Sequence, residues 1–184
     1  MIYLIGGAPR VGKTVLAQQV SVLSKIGWIS TDVLHELLKV CHAEDPNGKW
    51  NADKAAISAT AERFFPYLER FIWGIQSLAD AYVIEGVNFL PAQVARLPTQ
   101  PQIRSVFLGC SKMTLDRFER FPGRSKGYTG LPDELRRQIV QDVPLWSEFV
   151  REEAGRFGYP YIDMSDDFHC RLNEAEVVLT ARAD

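Results

Sequence analysis

"MIYLIGGAPRVGKTVLAQQV", residues 1–20, decides the fold class of this chain. An apolar run at 2–6 enters a glycine-rich turn, and residues 14–25 then carry apolar side chains at helical spacing. Gly7 to Thr14 fit the pattern G-x-x-x-x-G-K-[ST], which is typical of a phosphate-binding loop between a strand and a helix. The stretch therefore predicts a strand, an anion-binding turn and a helix, in that order.

The expected chemistry of this turn comes mainly from its backbone. Successive N–H groups form a concave nest for phosphate oxygens, and the positive end of the following helix adds to the attraction. Lys13 can reach the β- and γ-phosphates, and the Thr14 hydroxyl can bind Mg²⁺. A dinucleotide site is excluded because no Gly-x-Gly-x-x-Gly spacing occurs. We predict a site for the triphosphate of ATP or GTP formed by Gly7, Ala8, Pro9, Arg10, Val11, Gly12, Lys13, Thr14 and Val15.

The remaining chain alternates β-prone runs with segments of helical periodicity. Such alternation predicts an α/β fold with a parallel sheet covered by helices on both faces, and ligands then bind beyond the carboxyl ends of the strands. The further strands are expected at 27–31, 81–86, 103–109 and 159–164. The further helices are expected at 52–80 with a bend near Pro66, at 133–157 as two helices joined at Pro144, and at 172–182.

Composition limits the class of protein. The 184 residues predict a single domain, 1–184, and the formal net charge of -2 gives no sign of a nucleic-acid or anionic-membrane binder. No apolar window is long enough to span a bilayer, and we see no signal peptide. Three scattered cysteines, Cys41, Cys110 and Cys170, fit free thiols in a reducing compartment, so we expect a cytoplasmic protein.

Two carboxylates follow predicted strands. Asp32 stands just after the second strand, where it can orient an alcohol and accept its proton; alternatively, it caps a helix that starts at Val33. Glu85 ends the third strand after four apolar residues, a position suited to a water of Mg²⁺ or to the acceptor. Local N–H groups are the other explanation for Glu85. Asn88 is a weaker candidate nearby.

These features together resemble a known family. The loop Gly-Gly-x-Pro-x-x-Gly-Lys-Thr, the acid after the second strand and a late arginine-bearing segment are similar to the P-loop small-molecule kinases, which include chloramphenicol phosphotransferase, zeta toxins, polynucleotide kinase and 2-phosphoglycerate kinase. The resemblance implies a five-stranded sheet of order 2-3-1-4-5, ATP with Mg²⁺, and an acceptor hydroxyl near Asp32. One departure is His35, because several relatives carry an arginine at that place.

A basic segment follows the fourth strand. Residues 112–137 contain seven basic and four acidic residues, and Pro122-Gly123 interrupts the helix that carries Arg117 and Arg120. A helix, a glycine hinge and arginines are the parts of a closing lid, expected at 112–132. The resemblance implies that Arg120 and Arg124 stabilise the transferring phosphate, with Arg117 behind them. A solvated basic loop is the alternative.

The resemblance also places the acceptor at 33–80 and the nucleotide base near the end of the fifth strand. Arg63 can contact an anionic acceptor, whereas the aromatic residues of 64–73 are expected in the core. Ser165 and Asp166, in "DMSDDF", are expected to line the base pocket through their backbone.

The sequence therefore predicts a Mg²⁺-dependent kinase that phosphorylates a hydroxyl of a small molecule with ATP. A nucleoside monophosphate kinase is the nearest alternative, but no arginine occurs between Arg10 and Arg63 to surround a phosphate acceptor. A nucleotide-binding switch that transfers nothing is the third. The acceptor and the oligomeric state stay open.

Overall fold

A computed structural model describes residues 1–42, 52–98, 102–120 and 130–181 of the chain. Five parallel strands form one sheet in the order β2-β3-β1-β4-β5, which confirms the predicted α/β class and strand order. The strands are β1 (Ile2–Gly7), β2 (Gly27–Ser30), β3 (Tyr82–Glu85), β4 (Ile103–Gly109) and β5 (Tyr161–Asp163).

Seven helices connect and follow these strands within the described residues. They are α1 (Lys13–Ser24), α2 (Thr31–His42), α3 (Lys54–Gln76), α4 (Pro91–Val94), α5 (Leu115–Arg120), α6 (Asp133–Phe157) and α7 (Phe168–Thr180). In the described part of the chain, no helix is both long and apolar enough to cross a bilayer.

The sheet lies between two buried clusters of apolar side chains, because alternate residues of a strand point to opposite faces. Ile5 and Val106 belong to the cluster under α1 and α7, whereas Leu4 and Phe107 belong to the cluster under α3 and α4. Burial on both faces explains why β1, β3 and β4 are almost continuously apolar.

Strand register brings the polar strand ends together. Glu85, the last residue of β3, lies opposite Ile5 of β1 on one side and Ser30 of β2 on the other. Gly7, which ends β1, lies opposite Leu108 of β4. The residues that follow β1, β2 and β3 therefore meet at one edge of the sheet.

Three sequence expectations were wrong in detail. Helix α6 runs unbroken through Pro144 instead of forming two helices, because Val143 and Val150, on either side of it, are both buried in the core. Trp73 is 58% exposed, with Arg70 stacked on its ring, so it does not join the core as Phe64 and the other buried aromatics do. Helix α7 begins at Phe168, earlier than expected, with Asp167 as its N-cap.

Candidate active site

Two glycines shape the turn between β1 and α1. Gly7 has φ 129° and Gly12 has φ 98°, both in the region that favours glycine. A Cβ at Gly7 would overlap the carbonyl oxygen of Leu108, and one at Gly12 would lie 2.8 Å from the ring of Phe168. The turn ends at Gly12, the N-cap of α1, which provides no side-chain acceptor. The first N–H groups of α1 are therefore directed toward an anion site.

Arg10 is the unusual residue of this loop. Its φ is 65°, a left-handed conformation that costs a residue with a Cβ about 1–2 kcal/mol. Its Nη2 donates a hydrogen bond to the carbonyl oxygen of Phe118 at 3.1 Å, and its guanidinium carbon lies 4.4 Å from the centre of the Phe118 ring. The side chain thus joins the phosphate loop to α5.

Lys13, the first residue of α1, is buried beneath the loop. Its Nζ donates to the carbonyl oxygen of Ala8 at 2.6 Å. Burial lowers the pKa of the Lys13 ammonium group, and the carboxylates of Glu85 and Asp32 oppose this shift only in part. A phosphate would offer this cation the close negative partner that the loop carbonyl only partly replaces.

Thr14 and Glu85, the two residues predicted to bind Mg²⁺, are hydrogen-bonded to each other. The Thr14 hydroxyl donates to Glu85 Oε1 at 3.0 Å, and the Glu85 side chain is only 3% exposed. Burial raises the pKa of the Glu85 carboxyl, while the Lys13 charge and hydrogen bonds from the hydroxyls of Ser30 and Thr14 oppose the shift. Two hard oxygen atoms side by side suit Mg²⁺, which keeps most of its waters. The described residues contain no larger group of acids, histidines or cysteines able to hold a metal.

Asp32 lies in the first turn of α2, with its side chain exposed. Its backbone N–H donates to Ser30 Oγ at 3.3 Å, and α2 begins at Thr31, before Asp32, and not at Val33 as expected. The Asp32 carboxylate accepts a hydrogen bond at 3.4 Å from Nδ2 of Asn88, which also donates to Thr31 Oγ1 at 3.2 Å. Asn88 and Thr31 are both buried. A buried amide therefore helps to hold the exposed carboxylate in place.

The arginines of the predicted lid differ in their surroundings. Arg117 is partly buried and donates to the carbonyl oxygens of Ser165 (2.7 Å), Asp166 (3.3 Å) and Met164. Arg120 is exposed at the last residue of α5. Arg124 lies outside the described residues, as do Pro122 and Gly123.

A pocket lies between the phosphate loop, α5 and the loop that follows β5. Its lining residues are Arg10, Val11, Cys110, Met113, Arg117, Met164 and Phe168. The expected residues Ser165 and Asp166 are not among them; their carbonyl oxygens accept hydrogen bonds from Arg117. Sequence reasoning missed Met164 and Phe168, which lie next to the "SDD" that it selected.

The predicted acceptor region, residues 33–80, does not bring its candidate side chains to the strand ends in the part that the structure describes. The rings of His35 on α2 and Phe64 on α3 lie 6.4 Å apart at 49°. Arg63 is exposed and contacts Thr60 of its own helix at 3.5 Å. No contact links Arg63 to Asp32 or to Asn88, so the structure does not bring Arg63 into the cluster at the strand ends.

Solved structures with a similar fold include two kinases. A gluconokinase from Sinorhizobium meliloti 1021 is 15% identical, with 96% of this chain and 90% of that chain covered and a TM-score of 0.52. A shikimate kinase from Bacteroides thetaiotaomicron is 12% identical, with coverage of 96% and 94% and a TM-score of 0.50. No protein-family model and no curated protein matches the sequence. The chain therefore has the fold of P-loop small-molecule kinases, and the narrower resemblance to chloramphenicol phosphotransferase and the other kinases named above stays a prediction.

Proposed function

We propose that this protein transfers the γ-phosphate of ATP to a hydroxyl group of a small molecule. The observation that carries the proposal is the position of Asp32, an exposed carboxylate held by buried Asn88 at the same sheet edge as Lys13 and the phosphate loop. A carboxylate beside a phosphate site serves an acceptor that must lose a proton, as an alcohol must. The gluconokinase and the shikimate kinase, both named for hydroxyl compounds, share the fold.

The phosphate loop would bind the triphosphate through the N–H groups at the start of α1. Lys13 would exchange its bond to the Ala8 carbonyl for the β- and γ-phosphate oxygens. Thr14 and Glu85 would hold Mg²⁺, the Thr14 hydroxyl directly and Glu85 directly or through a water. When bound, Mg²⁺ neutralises charge on the β- and γ-phosphates.

In the transfer step, Asp32 would accept the proton of the acceptor hydroxyl. The hydroxyl oxygen forms a bond to the γ-phosphorus as the bond from that phosphorus to the β–γ bridging oxygen breaks, and ADP leaves. Arg120, exposed at the end of α5, would stabilise negative charge on the γ-oxygens. Arg117 would keep α5 against the loop after β5, beside the pocket for the nucleoside.

The acceptor would bind between this edge and the helices of 33–80, with residues 112–120 and 130–132 as the described parts of the lid. A nucleoside monophosphate acceptor has less support, because Arg63 points to a neighbour on its own helix and no arginine precedes it in this region.

The test is γ-phosphate transfer from labelled ATP to a panel of sugar acids, nucleosides, antibiotics and nucleoside monophosphates. Asp32→Asn keeps the shape of the side chain but removes the base, so we expect kcat to fall about 10²- to 10⁴-fold while ATP affinity changes little. Asp53→Asn is the matched control, because Asp53 is the N-cap of α3 and asparagine caps equally well.

Three results separate the candidates. A labelled hydroxyl compound and an inactive Asp32→Asn variant support the proposal. Labelled nucleoside monophosphates with an active variant favour the monophosphate kinase. ATP binding without any labelled acceptor favours a nucleotide-binding switch.

A further inference from the structure

Arg10 stands inside the phosphate loop, yet its charged group is bound elsewhere. The guanidinium lies over the Phe118 ring at 4.4 Å and donates to the Phe118 carbonyl oxygen at 3.1 Å. Glycine suits the φ of 65° at this position far better than arginine does. A residue that keeps a side chain in this conformation indicates a contribution that outweighs the backbone strain.

The contact joins Arg10 to both the backbone and the side chain of Phe118. The described part of α5 is six residues long, Leu115–Arg120. Arg10 donates to the Phe118 carbonyl oxygen and also covers the buried Phe118 ring. The Phe118 amide donates to Thr114 O at 2.9 Å, so Arg10 adds a contact from outside the helix to a bond within it.

Helix α5 has a second attachment on its other side. Arg117 binds the carbonyl oxygens of Met164, Ser165 and Asp166 in the loop after β5. Arg10 and Arg117 both line the pocket between that loop and the phosphate loop. The two arginines thus link α5, one wall of the pocket, to two loops: Arg10 to the phosphate loop and Arg117 to the loop after β5.

We propose that Arg10 is a positioning residue that holds α5 against the phosphate loop and so forms the pocket for the nucleoside of ATP. This inference rests on the proposed function for its ligand. Arg10 acts through α5 and Arg117, not through a contact with the phosphates. Affinity for the nucleoside therefore depends on Arg10, whereas affinity for the phosphate chain alone does not.

The experiment compares the dissociation constants of ATP and of inorganic tripolyphosphate, each with Mg²⁺, by calorimetry. Arg10→Gly removes the guanidinium and relieves the left-handed backbone, so the loop itself keeps its shape. We expect it to weaken ATP binding about tenfold and to change tripolyphosphate binding less than about twofold. Arg156→Ala is the control, since Arg156 stacks on exposed Phe157 in α6, and it should change neither value.

A second measurement needs no nucleotide. Amide hydrogen exchange of Phe118, Glu119 and Arg120 should be faster in Arg10→Gly than in the native protein, because α5 loses its link to the phosphate loop. Arg10→Lys keeps the charge but loses the planar group, so it should fall between the two proteins.

Equal loss of ATP and tripolyphosphate affinity would mean that Arg10 contacts phosphate. This result would overturn the inference about Arg10 and leave the proposed function in place. Unchanged ATP affinity, or unchanged exchange in α5, also overturns it. If the native protein binds neither ligand, the proposed function fails, and the inference about the nucleoside fails with it. Faster exchange in that case would still show the link between Arg10 and α5.

Discussion

The phosphate-loop edge of the sheet and the acceptor side hold their polar side chains in different ways. At the edge, hydrogen bonds join separate elements, as from Thr14 on α1 to Glu85 on β3 and from Asn88 to Asp32 on α2. On the predicted acceptor side, the exposed pairs Lys39–Glu36 and Arg63–Thr60 each lie within one helix, and the one carboxylate of α3 bonded from α4 and the residues after it, Glu62, is half exposed.

This difference indicates which part of the chemistry the fold fixes. Bonds between elements are formed only when the sheet is assembled, so the phosphate-binding geometry is built into the core. Bonds within one exposed helix add little stability and are easily exchanged for contacts with a bound molecule. Under the proposed function, specificity for one substrate would then arise on the predicted acceptor side and not at the phosphate loop.

Replacement of Lys13 tests the first region most severely. Lys13→Met should lower the rate of phosphate transfer about 10³-fold, because the cation nearest the transferring group is lost. The same variant should unfold at the same or a higher temperature, because burial of the ammonium group, which lowers its pKa, disfavours the charged form in the fold. Single-turnover kinetics and thermal melts without nucleotide measure the two effects.

The control for this variant is Lys25→Met. Lys25 lies at the C-cap of α1 with φ 55°, and methionine has the same backbone preference as lysine there. A Lys13→Met variant that melts much earlier than native protein, or keeps more than about a tenth of its rate, would contradict a functional role for this buried charge.

Gly86 connects the two regions, since a Cβ there would overlap Thr31 Oγ1 and lie 2.8 Å from the Thr31 Cβ. Gly86→Ala should destabilise the fold by about 2 kcal/mol, because Thr31 is fully buried at the start of α2. The displaced Thr31 would also disturb Asn88, so transfer should fall more than ATP binding. Denaturant unfolding and kinetics would check this.

Gly74→Ala is the control, because nothing lies within 4 Å of a Cβ at Gly74 in α3. It should be neutral or slightly stabilising, as alanine is the better helix former. If Gly86→Ala behaves in the same way, the close contact between β3 and α2 does not set the position of Asp32.

The same contrast explains what could be predicted from the sequence. The phosphate loop is a local pattern. Glu85 ends β3 and Asp32 stands two residues after β2, so parallel pairing alone brings them to one edge. The sheet order came from the resemblance and was confirmed. These features depend on short spacings and on the general rules of parallel sheets.

Contacts between distant residues could not be predicted in this way. Arg10 and Phe118 are 108 residues apart, and nothing in the sequence around either one indicates the other. Met164 and Phe168 line the pocket because the loop after β5 packs against α5 and the phosphate loop, and this packing joins parts of the chain that are far apart in sequence. Pro144 suggested a break in α6 because proline weakens an isolated helix, whereas burial on both sides keeps this helix continuous.

The pH dependence of stability is the smallest expected effect, and it reports directly on the burial of Glu85. Burial raises the pKa of Glu85 above its ordinary value of 4.5. Between that value and the raised pKa, the folded state binds more protons than the unfolded state, so the free energy of unfolding falls as pH rises. Glu85→Gln cannot lose a proton, so its free energy of unfolding should exceed the native value increasingly with pH, by up to about 1.4 kcal/mol per pH unit. Denaturant unfolding without Mg²⁺ or nucleotide measures this difference.

Glu148→Gln is the control of opposite sign for this measurement. Its hydrogen bond from Arg151 lowers the pKa of Glu148 on the exposed face of α6, so its stabilising effect is present above pH 4.5 and is lost as pH falls through the lowered folded pKa. If the difference in unfolding free energy between Glu85→Gln and the native protein does not change with pH, or changes with the sign of the Glu148 control, burial does not raise the pKa of Glu85. Glu85 would then not be a desolvated carboxylate that gains from binding Mg²⁺.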